Sequence, residues 1–310
     1  MADRFSIIIT HRNGPETLLR TLDALAAAID PALDEIFVTD NGSSDDSLAR
    51  VRDAHPAVRI IENGCNMGYA AAINRAVPLS DSRYLLFLNN DAFVAPGLFD
   101  RLAALFAEHP KVGIIGPLMV SEDGAPQRCF GVEPTFAGEA GLRRAERRRP
   151  KLPAGEVSSV DWISGACMAV RRAAIDEAGS IDSGFFFYFE DVELCIRLRR
   201  AGWQALLDQG SRVVHQMGTS TRGLRLGAQI EALRSRLRFY RRVFPASQAT
   251  ALSAIRLTRL AINTIAHLLL TTVTLGLANS VRRKFMVYGY QMIWVLAGMP
   301  KGWGLPGKCG

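Results

Sequence analysis

An aromatic run leads directly into acidic residues in the stretch FFFYFEDVELCIRLRRAGW, which spans residues 185–203. Glu190 and Asp191 are adjacent carboxylates, and Glu193 lies two positions further on. Burying unpaired carboxylates beside apolar side chains is unfavourable, so folding alone gives no reason for this order. An apolar setting raises the proton affinity of a carboxylate, which suits a general base. Helix capping is the structural alternative for the pair, and we expect Glu193 to be structural.

Polar residues also follow three β-branched segments in the first half of the chain. DNGSSDDS (40–47) follows EIFVT, NGCNMGYAAAINRA (63–76) follows VRIIE, and NNDAFV (89–94) follows YLLFL. One such segment is an ordinary turn, but three at the carboxyl ends of parallel strands predict a polar crevice. Hard cations prefer oxygen ligands and substrate phosphates, so Asp91 suits a metal-bridged nucleotide diphosphate. No phosphate-loop or G-x-G-x-x-G motif opens the first helix, which disfavours kinases and nicotinamide enzymes.

The segments around these residues alternate between strand and helix. FSIIIT precedes a helix carrying Leu18, Leu22, Leu25 and Ile29 at helical spacing, and further helices are predicted near 45–54, from about 69, and over 97–108. This β-α-β-α order predicts an α/β fold with a mostly parallel sheet that is flanked by helices on both faces.

The composition of the chain limits the classes of protein to which it can belong. The chain has 310 residues, 48% of them hydrophobic, which is enough for one large core or two modest ones. Five scattered cysteines without a C-x-x-C pair predict neither a disulfide framework nor a zinc site, and favour a reducing cytosol. A strand begins by the fifth residue, so we expect no signal peptide. The net charge is +7, and arginines cluster in two runs at 143–150 and 234–242. Such runs could bind anionic lipid, phosphorylated acceptors or nucleic acid, or could simply form solvent-exposed charged faces.

As an ordered set, several motifs resemble those of the GT-A family 2 glycosyltransferases, most closely the rhamnosyltransferase-like branch of bacterial polysaccharide synthesis. The motifs are TDNGSSDDS, the turn Asn66 to Gly68, LFLNND, WISGACMAVRR, the Glu-Asp segment and VVHQMGTST, and the resemblance covers about residues 5 to 221. It implies a Rossmann-like GT-A fold.

The resemblance also implies roles for individual residues. Asp191 matches the catalytic base and Glu190 would bind acceptor hydroxyls, while the loop containing Trp162 and Gly165 would line the acceptor side. Asp91 and His215 would hold Mn²⁺ or Mg²⁺ at the diphosphate. Asn89 occupies the first position of the family's Asp-x-Asp motif, which leaves fewer charged ligands. The residues expected to bind the nucleotide sugar are Thr10, Arg12, Asp40, Asn66, Gly68, Asn89 and Asn90.

The composition changes after Phe244, so we predict a catalytic domain over 1–245 and a helical apolar tail over 246–310. Two uncharged stretches, 260–281 and 285–300, are separated by Arg282, Arg283 and Lys284. The first would form a helix about 33 Å long, just enough to span a membrane, but its polar residues favour helices that lie in the membrane interface. Packing on the catalytic domain or on a second subunit is the alternative.

Together these features predict an inverting, metal-dependent glycosyltransferase in cell-surface polysaccharide synthesis. Its donor would be dTDP-rhamnose or a UDP-sugar, and its acceptor a lipid-linked or free saccharide. We expect a peripheral protein on the anionic cytoplasmic face of the inner membrane, with no nucleic-acid partner; a homo-oligomer is left open. The alternatives are a nucleotidyltransferase, although the single glycine of THRNGPETL disfavours it, and a catalytically silent nucleotide-sugar-binding assembly subunit.

Overall fold

The computed structural model of the protein describes residues 4–142, 152, 154–216 and 225–309. The arginine-rich run at 143–150 lies outside the described residues. So does the end of the VVHQMGTST motif, residues 217–221.

The first half of the chain alternates between strands and helices, as its hydrophobic pattern predicts. In chain order the elements are β1 (Phe5–His11), α1 (Pro15–Ala26), β2 (Glu35–Asp40), α2 (Ser47–Ala54), β3 (Arg59–Glu62), α3 (Tyr69–Ala76), β4 (Tyr84–Asn89), β5 (Ala92–Phe93) and α4 (Leu98–Glu108). The predicted helices therefore begin or end within a few residues of those observed.

The second half starts with strands and ends with long helices. In chain order its elements are β6 (Val112–Val120), β7 (Phe130–Gly131), α5 (Phe136–Glu139), β8 (Val157–Val160), β9 (Trp162–Ile163), β10 (Cys167–Arg171), α6 (Arg172–Ala178), α7 (Glu190–Arg200), β11 (Gln204–His215), α8 (Arg225–Val243), α9 (Ala246–Val273) and α10 (Asn279–Leu296).

The main sheet has the strand order β3-β2-β1-β4-β10-β6-β11-β5, and β8 also pairs with β11. Strands β3, β2, β1 and β4 are parallel, whereas β10 runs antiparallel to both β4 and β6. The predicted α/β fold with a mostly parallel sheet is confirmed, because β3, β2, β1, β4, β6 and β11 run in one direction. Strands β10, β5 and β8 run against them, so the sheet is mixed.

Both faces of the sheet are covered by helices. Ile8, Phe37 and Phe87 belong to the core beneath α3, α6 and α7, whereas Ile7 and Leu86 face the core beneath α1 and α4. Successive strand residues point to opposite faces, so an uninterrupted apolar strand serves both cores. The carboxyl ends of β1, β2 and β4 therefore meet at one polar edge of an otherwise apolar layer.

Helices α8, α9 and α10 share a third core with the catalytic half. Phe185 and Ile196 pack there together with Leu237, Leu260 and Trp294. The predicted domain boundary at 245/246 falls between α8 and α9, and the structure buries side chains from both sides of it in this common core. Among the helices of the described ranges, none reaches the length and mean hydropathy that crossing a membrane requires.

The expectation that the cysteines form no disulfide is wrong. Cys65 and Cys309 form a disulfide with their Cα atoms 5.2 Å apart, although 244 positions separate them in the sequence. The end of the chain returns to the loop before α3, and sequence spacing gives no sign of this contact. Cys129, Cys167 and Cys195 are free and buried.

The arginine-rich run on α8 is largely engaged with carboxylates of the protein itself. Arg236 lies 2.9 Å from Glu139, Arg238 lies 2.7 Å from Asp182, and Arg242 lies 3.1 Å from the same Asp182. This run therefore ties α8 to the rest of the fold, and most of its charge is already balanced inside the molecule.

Candidate functional site

Most of the residues predicted to bind a nucleotide sugar surround one cavity of about 120 Å³, called here the smaller cavity. It opens at the carboxyl ends of β1 and β4, because Thr10 and Asn89 are register partners on those two strands. The predicted residues in its wall are Thr10, Arg12, Asn66, Gly68, Asn89 and Asn90. Residues that were not predicted also line it, namely His11, Asn41, Tyr69, Phe186, Phe187, Leu305 and Pro306.

The turn from Asn66 to Gly68 joins the smaller cavity to the aromatic segment. Gly68 has φ 84°, and a Cβ atom there would overlap the carbonyl oxygen of Phe186. Tyr69 donates its backbone N–H to that same carbonyl at 2.9 Å, and Asn66 Oδ1 accepts a hydrogen bond from Gly68 N at 3.1 Å. Only glycine allows this close approach of two backbones.

Asp40 shapes a neighbouring loop. Its carboxylate accepts hydrogen bonds from Gly42 N at 3.1 Å and Ser43 N at 3.0 Å, and also from the Ser43 hydroxyl. Asn41, the next residue, lines the smaller cavity. A contact between Asp40 and a base or ribose stays a prediction, and the observed role of this carboxylate is to hold its own turn.

His11 is a cavity residue that the sequence analysis missed. Asn90 Nδ2 donates to His11 Nδ1 at 3.0 Å, so Nε2 carries the proton of the neutral ring. Burial lowers the pKa of His11 to about 4, against the opposing charges of Asp40 and Asp45. Nε2 is buried and has no hydrogen-bond partner within the described part of the chain. The arrangement offers a neutral N–H donor at the cavity. His11 could have been predicted as a site residue, because it lies at the carboxyl end of a central parallel strand.

A larger cavity of about 340 Å³ adjoins the smaller one, and Tyr69, Asn89 and Phe187 line both. The predicted catalytic, acceptor and metal residues converge here. Those in its wall are Asn89, Asp91, Gly165, Glu190, Asp191 and His215. The two groups predicted from separate motifs thus line two adjoining cavities.

Asp91 and His215 form the candidate metal pair, with Oδ1 and Nε2 3.2 Å apart. Gln127 donates through Nε2 to the His215 carbonyl at 2.7 Å, which fixes the orientation of its amide. Its Oε1 therefore accepts a hydrogen bond from His215 Nδ1–H at 3.1 Å. In the neutral ring Nε2 then presents a lone pair to Asp91 Oδ1. Asn89 Nδ2 also lies 3.4 Å from Nε2. A carboxylate oxygen and an imidazole nitrogen this close together are ligand types that suit one divalent cation.

These residues fit a divalent cation that is completed by its substrate. Among the described residues, no group of three or more His, Cys, Asp or Glu side chains is placed to hold a metal ion. Mg²⁺ and similar hard cations are often held by one or two carboxylates together with substrate phosphates, so a pair is sufficient. Gln127 was not predicted, because its contact with His215 depends on the path of a loop.

Asp191 is held by two backbone donors at the start of α7. Gly165 N donates to its Oδ2 at 3.0 Å and Val192 N donates to its Oδ1 at 2.8 Å. Burial raises the pKa of Asp191, while these hydrogen bonds act in the opposite direction. A Cβ atom at Gly165 would lie 3.4 Å from the Asp191 Cβ and 3.2 Å from the Tyr69 hydroxyl. Gly165 therefore positions the carboxylate in addition to lining the cavity.

Glu190 is a buried carboxyl group beside Asp191. Burial, and then the negative charge of Asp191, raise the pKa of Glu190 well above its usual value. Its Oε2 is buried without a hydrogen-bond partner among the described residues. The pair can therefore offer one protonated carboxyl as a donor and one carboxylate as an acceptor, which suits recognition and deprotonation of a hydroxyl group.

Two side chains near the site have structural roles. The indole of Trp162 donates to the Val132 carbonyl at 3.1 Å and packs so closely that a Cβ at Gly131 would lie 2.5 Å from its ring. The structure thus places Trp162 in the core between β7 and β9, whereas we predicted it on the acceptor side. Glu193 pairs with Arg197 at 3.1 Å, in agreement with the structural role expected for it.

Comparison with known proteins identifies the family and the fold. Residues 6–179 match the family model of Glycosyl transferase family 2. An N-acetylglucosaminyl-diphospho-decaprenol L-rhamnosyltransferase of Mycobacterium tuberculosis is 30% identical over 238 residues, which are 69% of this chain and 76% of that protein.

Two solved structures share the GT-A-like fold. The mannosyltransferase PcManGT from Pyrobaculum calidifontis, in complex with GDP-Man and Mn²⁺, has a TM-score of 0.55 at 17% identity over 95% of this chain and 86% of that one. GalNAc-T7 with UDP, GalNAc and Mn²⁺ has a TM-score of 0.54 at 18% identity, and the match covers 81% of this chain and 53% of that one. Since the family model matches more than half of its 310 residues, the chain belongs to glycosyl transferase family 2 and is a glycosyltransferase.

Proposed function

We propose that the protein transfers a sugar from a nucleotide diphosphate donor to a hydroxyl group of a saccharide acceptor, with inversion at the anomeric carbon. One observation carries the proposal. The smaller cavity adjoins a larger one, with Tyr69, Asn89 and Phe187 in both walls, and the wall of the larger cavity contains both the Asp91–His215 pair and the Glu190–Asp191 pair. A donor that fills both cavities would present its diphosphate to the first pair and its sugar to the second.

The residues divide the reaction between the two ends of this space. Asp191 takes the proton of the acceptor hydroxyl, and Glu190 orients the acceptor by hydrogen bonding. Attack from the side of Asp191, opposite the departing diphosphate, inverts the anomeric centre. Asp91 and His215 would hold Mn²⁺ or Mg²⁺, which when bound supplies positive charge for the leaving diphosphate. His11 donates its Nε2–H to the nucleotide.

The substrates proposed here follow the relatives. The name of the Mycobacterium tuberculosis relative specifies rhamnosyl transfer to N-acetylglucosaminyl-diphospho-decaprenol. We therefore place dTDP-rhamnose first among donors, with UDP-sugars second, and a diphosphate-linked lipid saccharide first among acceptors. This combination assigns the protein to the synthesis of cell-surface polysaccharide.

A membrane surface is the proposed working place, because the far end of the α9–α10 pair is apolar and exposed. Val273, Leu275 and Leu277 are each at least 80% exposed, and Arg282 and Arg283 lie close to them in the chain. Interfacial apolar burial and basic residues add their contributions at an anionic bilayer, each basic residue contributing about 1 kcal/mol. The arginines of α8 contribute less than the sequence predicted, because carboxylates of the protein balance them.

Liposome sedimentation tests the membrane proposal. The full-length protein should sediment with anionic vesicles and dissociate partly in high salt, and Leu275→Glu together with Leu277→Glu should keep it in solution. The matched control is Leu79→Glu, since Leu79 is an exposed leucine far from this end of the molecule in sequence. If the protein does not sediment with liposomes and is a monodisperse oligomer without detergent, the same apolar surface is a subunit interface.

Product analysis tests the reaction. The protein is incubated with dTDP-rhamnose, UDP-N-acetylglucosamine or GDP-mannose, with and without Mn²⁺, and with a prenyl-diphosphate-linked N-acetylglucosamine acceptor. We expect acceptor-dependent release of nucleoside diphosphate and an inverted glycosidic bond. A nucleotidyltransferase would instead form nucleotide sugar and pyrophosphate from a sugar phosphate and a nucleoside triphosphate. A silent subunit would bind the donor and release nothing.

A further inference from the structure

The end of the chain forms part of the wall of the smaller cavity. Residues 305–309, called here the C-terminal strap, place Leu305 and Pro306 in the wall of that cavity, which Thr10 and Arg12 also line. A Cβ atom at Gly307 would lie 2.6 Å from the Arg12 guanidinium, so the strap lies beside the end of β1. The match to the family model ends at residue 179, so the strap lies outside the matched residues.

The strap is bonded to the turn that carries Asn66. Asn66 N donates to the Gly307 carbonyl at 2.7 Å, its side-chain Nδ2 donates to the Pro306 carbonyl at 3.2 Å, and Cys309 N donates to the Asn66 carbonyl at 3.3 Å. The disulfide between Cys65 and Cys309 closes the same contact covalently. The turn and the strap thus share their hydrogen bonds and cannot move independently.

A second anchor lies on α8. Glu231 is fully buried and accepts a hydrogen bond from Leu305 N at 3.2 Å, and it forms an ion pair with Lys308. The Lys308 ammonium also lies 4.4 Å from the centre of the Phe186 ring, the same residue whose carbonyl meets Gly68. Through Glu231 and Phe186 the strap joins the donor cavity to the segment that leads into the catalytic carboxylates.

We propose that the C-terminal strap is part of the donor-binding site and that the Cys65–Cys309 disulfide keeps it closed, so that reduction of this bond weakens nucleotide binding. The proposal rests on the proposed function, because it assigns the smaller cavity to a nucleoside diphosphate. A wall that is already in place spares the ligand the cost of ordering it, and Asn66 keeps its position only while the strap holds it. The strap thereby makes donor affinity depend on the redox state of two cysteines.

The chemical step is an ordinary exchange with a dithiol. Two electrons and two protons pass from the dithiol to the protein, the sulfur–sulfur bond between Cys65 and Cys309 breaks, and two thiols form while the reagent closes to a cyclic disulfide. The other three cysteines are buried and free, so this bond is the group that a mild dithiol changes. Iodoacetamide should label Cys65 and Cys309 in the folded protein only after reduction.

Calorimetric titration of the full-length protein with dTDP, UDP and GDP tests the proposal. The protein is first oxidised with glutathione disulfide, and half is then reduced with dithiothreitol. We expect reduction to weaken binding of the preferred nucleotide by about tenfold, a factor typical of coupled sites. The double variant Cys65→Ser, Cys309→Ser should bind the nucleotide with the affinity of the reduced protein, and dithiothreitol should not change that affinity. Leu305→Ala should weaken binding while the disulfide stays intact, and melting curves confirm that each form is folded.

The possible results separate this proposal from the proposed function. Equal or tighter binding after reduction would overturn the proposal and leave the assignment of the cavity to a nucleotide in place. Failure of the two cysteines to form the disulfide after oxidation would overturn it as well. Absence of binding of any nucleoside diphosphate in both redox states would overturn the donor site itself.

Discussion

Substitution of Asp191 by asparagine should separate catalysis from binding. The exchange replaces one carboxylate oxygen by an NH₂ group and leaves the shape nearly unchanged. In the structure both oxygens accept backbone hydrogen bonds, from Gly165 N at 3.0 Å and from Val192 N at 2.8 Å. An amide accepts only one of these bonds, and its NH₂ group faces the other donor. Asp191→Asn therefore lacks a base that can take a proton and loses one charge-assisted hydrogen bond.

The size of both effects follows from these contacts. Loss of general-base assistance should lower the turnover number by about 10²–10⁴, equivalent to about 3–5 kcal/mol of transition-state stabilisation. Loss of one charge-assisted hydrogen bond should lower the free energy of unfolding by about 1.5–3 kcal/mol. A domain with a typical 5–15 kcal/mol of stability survives that loss, so the variant should fold with a lower melting temperature.

Glu190→Gln is the matched control, because it makes the same chemical change one residue earlier on the same helix. Burial and the charge of Asp191 raise the pKa of Glu190, so its neutral form is favoured and glutamine resembles that form closely. We expect it to lose less than about tenfold in turnover, as for one altered neutral hydrogen bond. The two variants should also differ in pH dependence, since only the wild type and Glu190→Gln keep a base whose protonation lowers the rate as pH falls.

Single-turnover release of nucleoside diphosphate in the presence of acceptor measures the chemical step, and calorimetry measures the dissociation constant of the donor. We expect donor affinity to change much less than turnover in both variants, because the diphosphate lies at Asp91 and His215 and only the sugar of the donor faces Glu190 and Asp191. Turnover of Asp191→Asn near the wild-type value would refute the assignment of the base. A larger loss in Glu190→Gln than in Asp191→Asn would move the base to Glu190.

Three further predictions concern the rest of the site. In titrations of the donor with and without Mn²⁺, Asp91→Ala should abolish the gain in donor affinity that Mn²⁺ provides, and His215→Ala should reduce it. Equal gains in wild type and Asp91→Ala would contradict a role of Asp91 as a metal ligand. His11 should lower the free energy of unfolding by about 2–3 kcal/mol between pH 7 and 4.5, because unfolded His11 binds a proton near its usual pKa and folded His11 only near 4. The raised pKa values of Glu190 and Asp191 act in the opposite direction, so denaturant titrations must compare the pH dependence of wild type with that of His11→Asn, which lacks the His11 part. Gly68→Ala should lower the melting temperature well beyond Gly64→Ala, since Gly64 has a similar φ of 71° but open space at its Cβ.

Hydrophobic periodicity was sufficient for the first half of the fold. Leu18, Leu22 and Leu25 occupy one face of α1 and are all buried, so the pattern and the packing report the same constraint. The rule that parallel strands end at one edge likewise brought Thr10 and Asn89 together. The antiparallel direction of β10 could not be predicted, because one antiparallel strand inside an apolar sheet has the same composition as a parallel one.

The contacts that the sequence did not reveal are those made across long separations by loops. Gln127 meets His215 over 88 positions, and Asn66 meets Pro306 over 240. No periodic pattern or local spacing in the sequence predicts either contact, because each depends on how the rest of the chain folds. Charge composition was also misleading for the same reason, since the arginines of α8 find Glu139 and Asp182 only in the folded protein.

The aromatic run before Glu190 has a structural explanation that links the two cavities. Tyr188 and Phe189 have positive φ angles of 74° and 69°, which cost about 1–3 kcal/mol each for residues other than glycine. Phe185 is fully buried in the core shared with α8, and the partly buried Phe189 ring is tilted against Phe239 with ring centres 5.1 Å apart. Full burial of the Phe185 ring gains about 1.5–3 kcal/mol, which offsets part of the strain of the turn. Because the turn is held this tightly, α7 begins with its two carboxylates at the wall of the larger cavity, where the proposed deprotonation of an acceptor hydroxyl would take place.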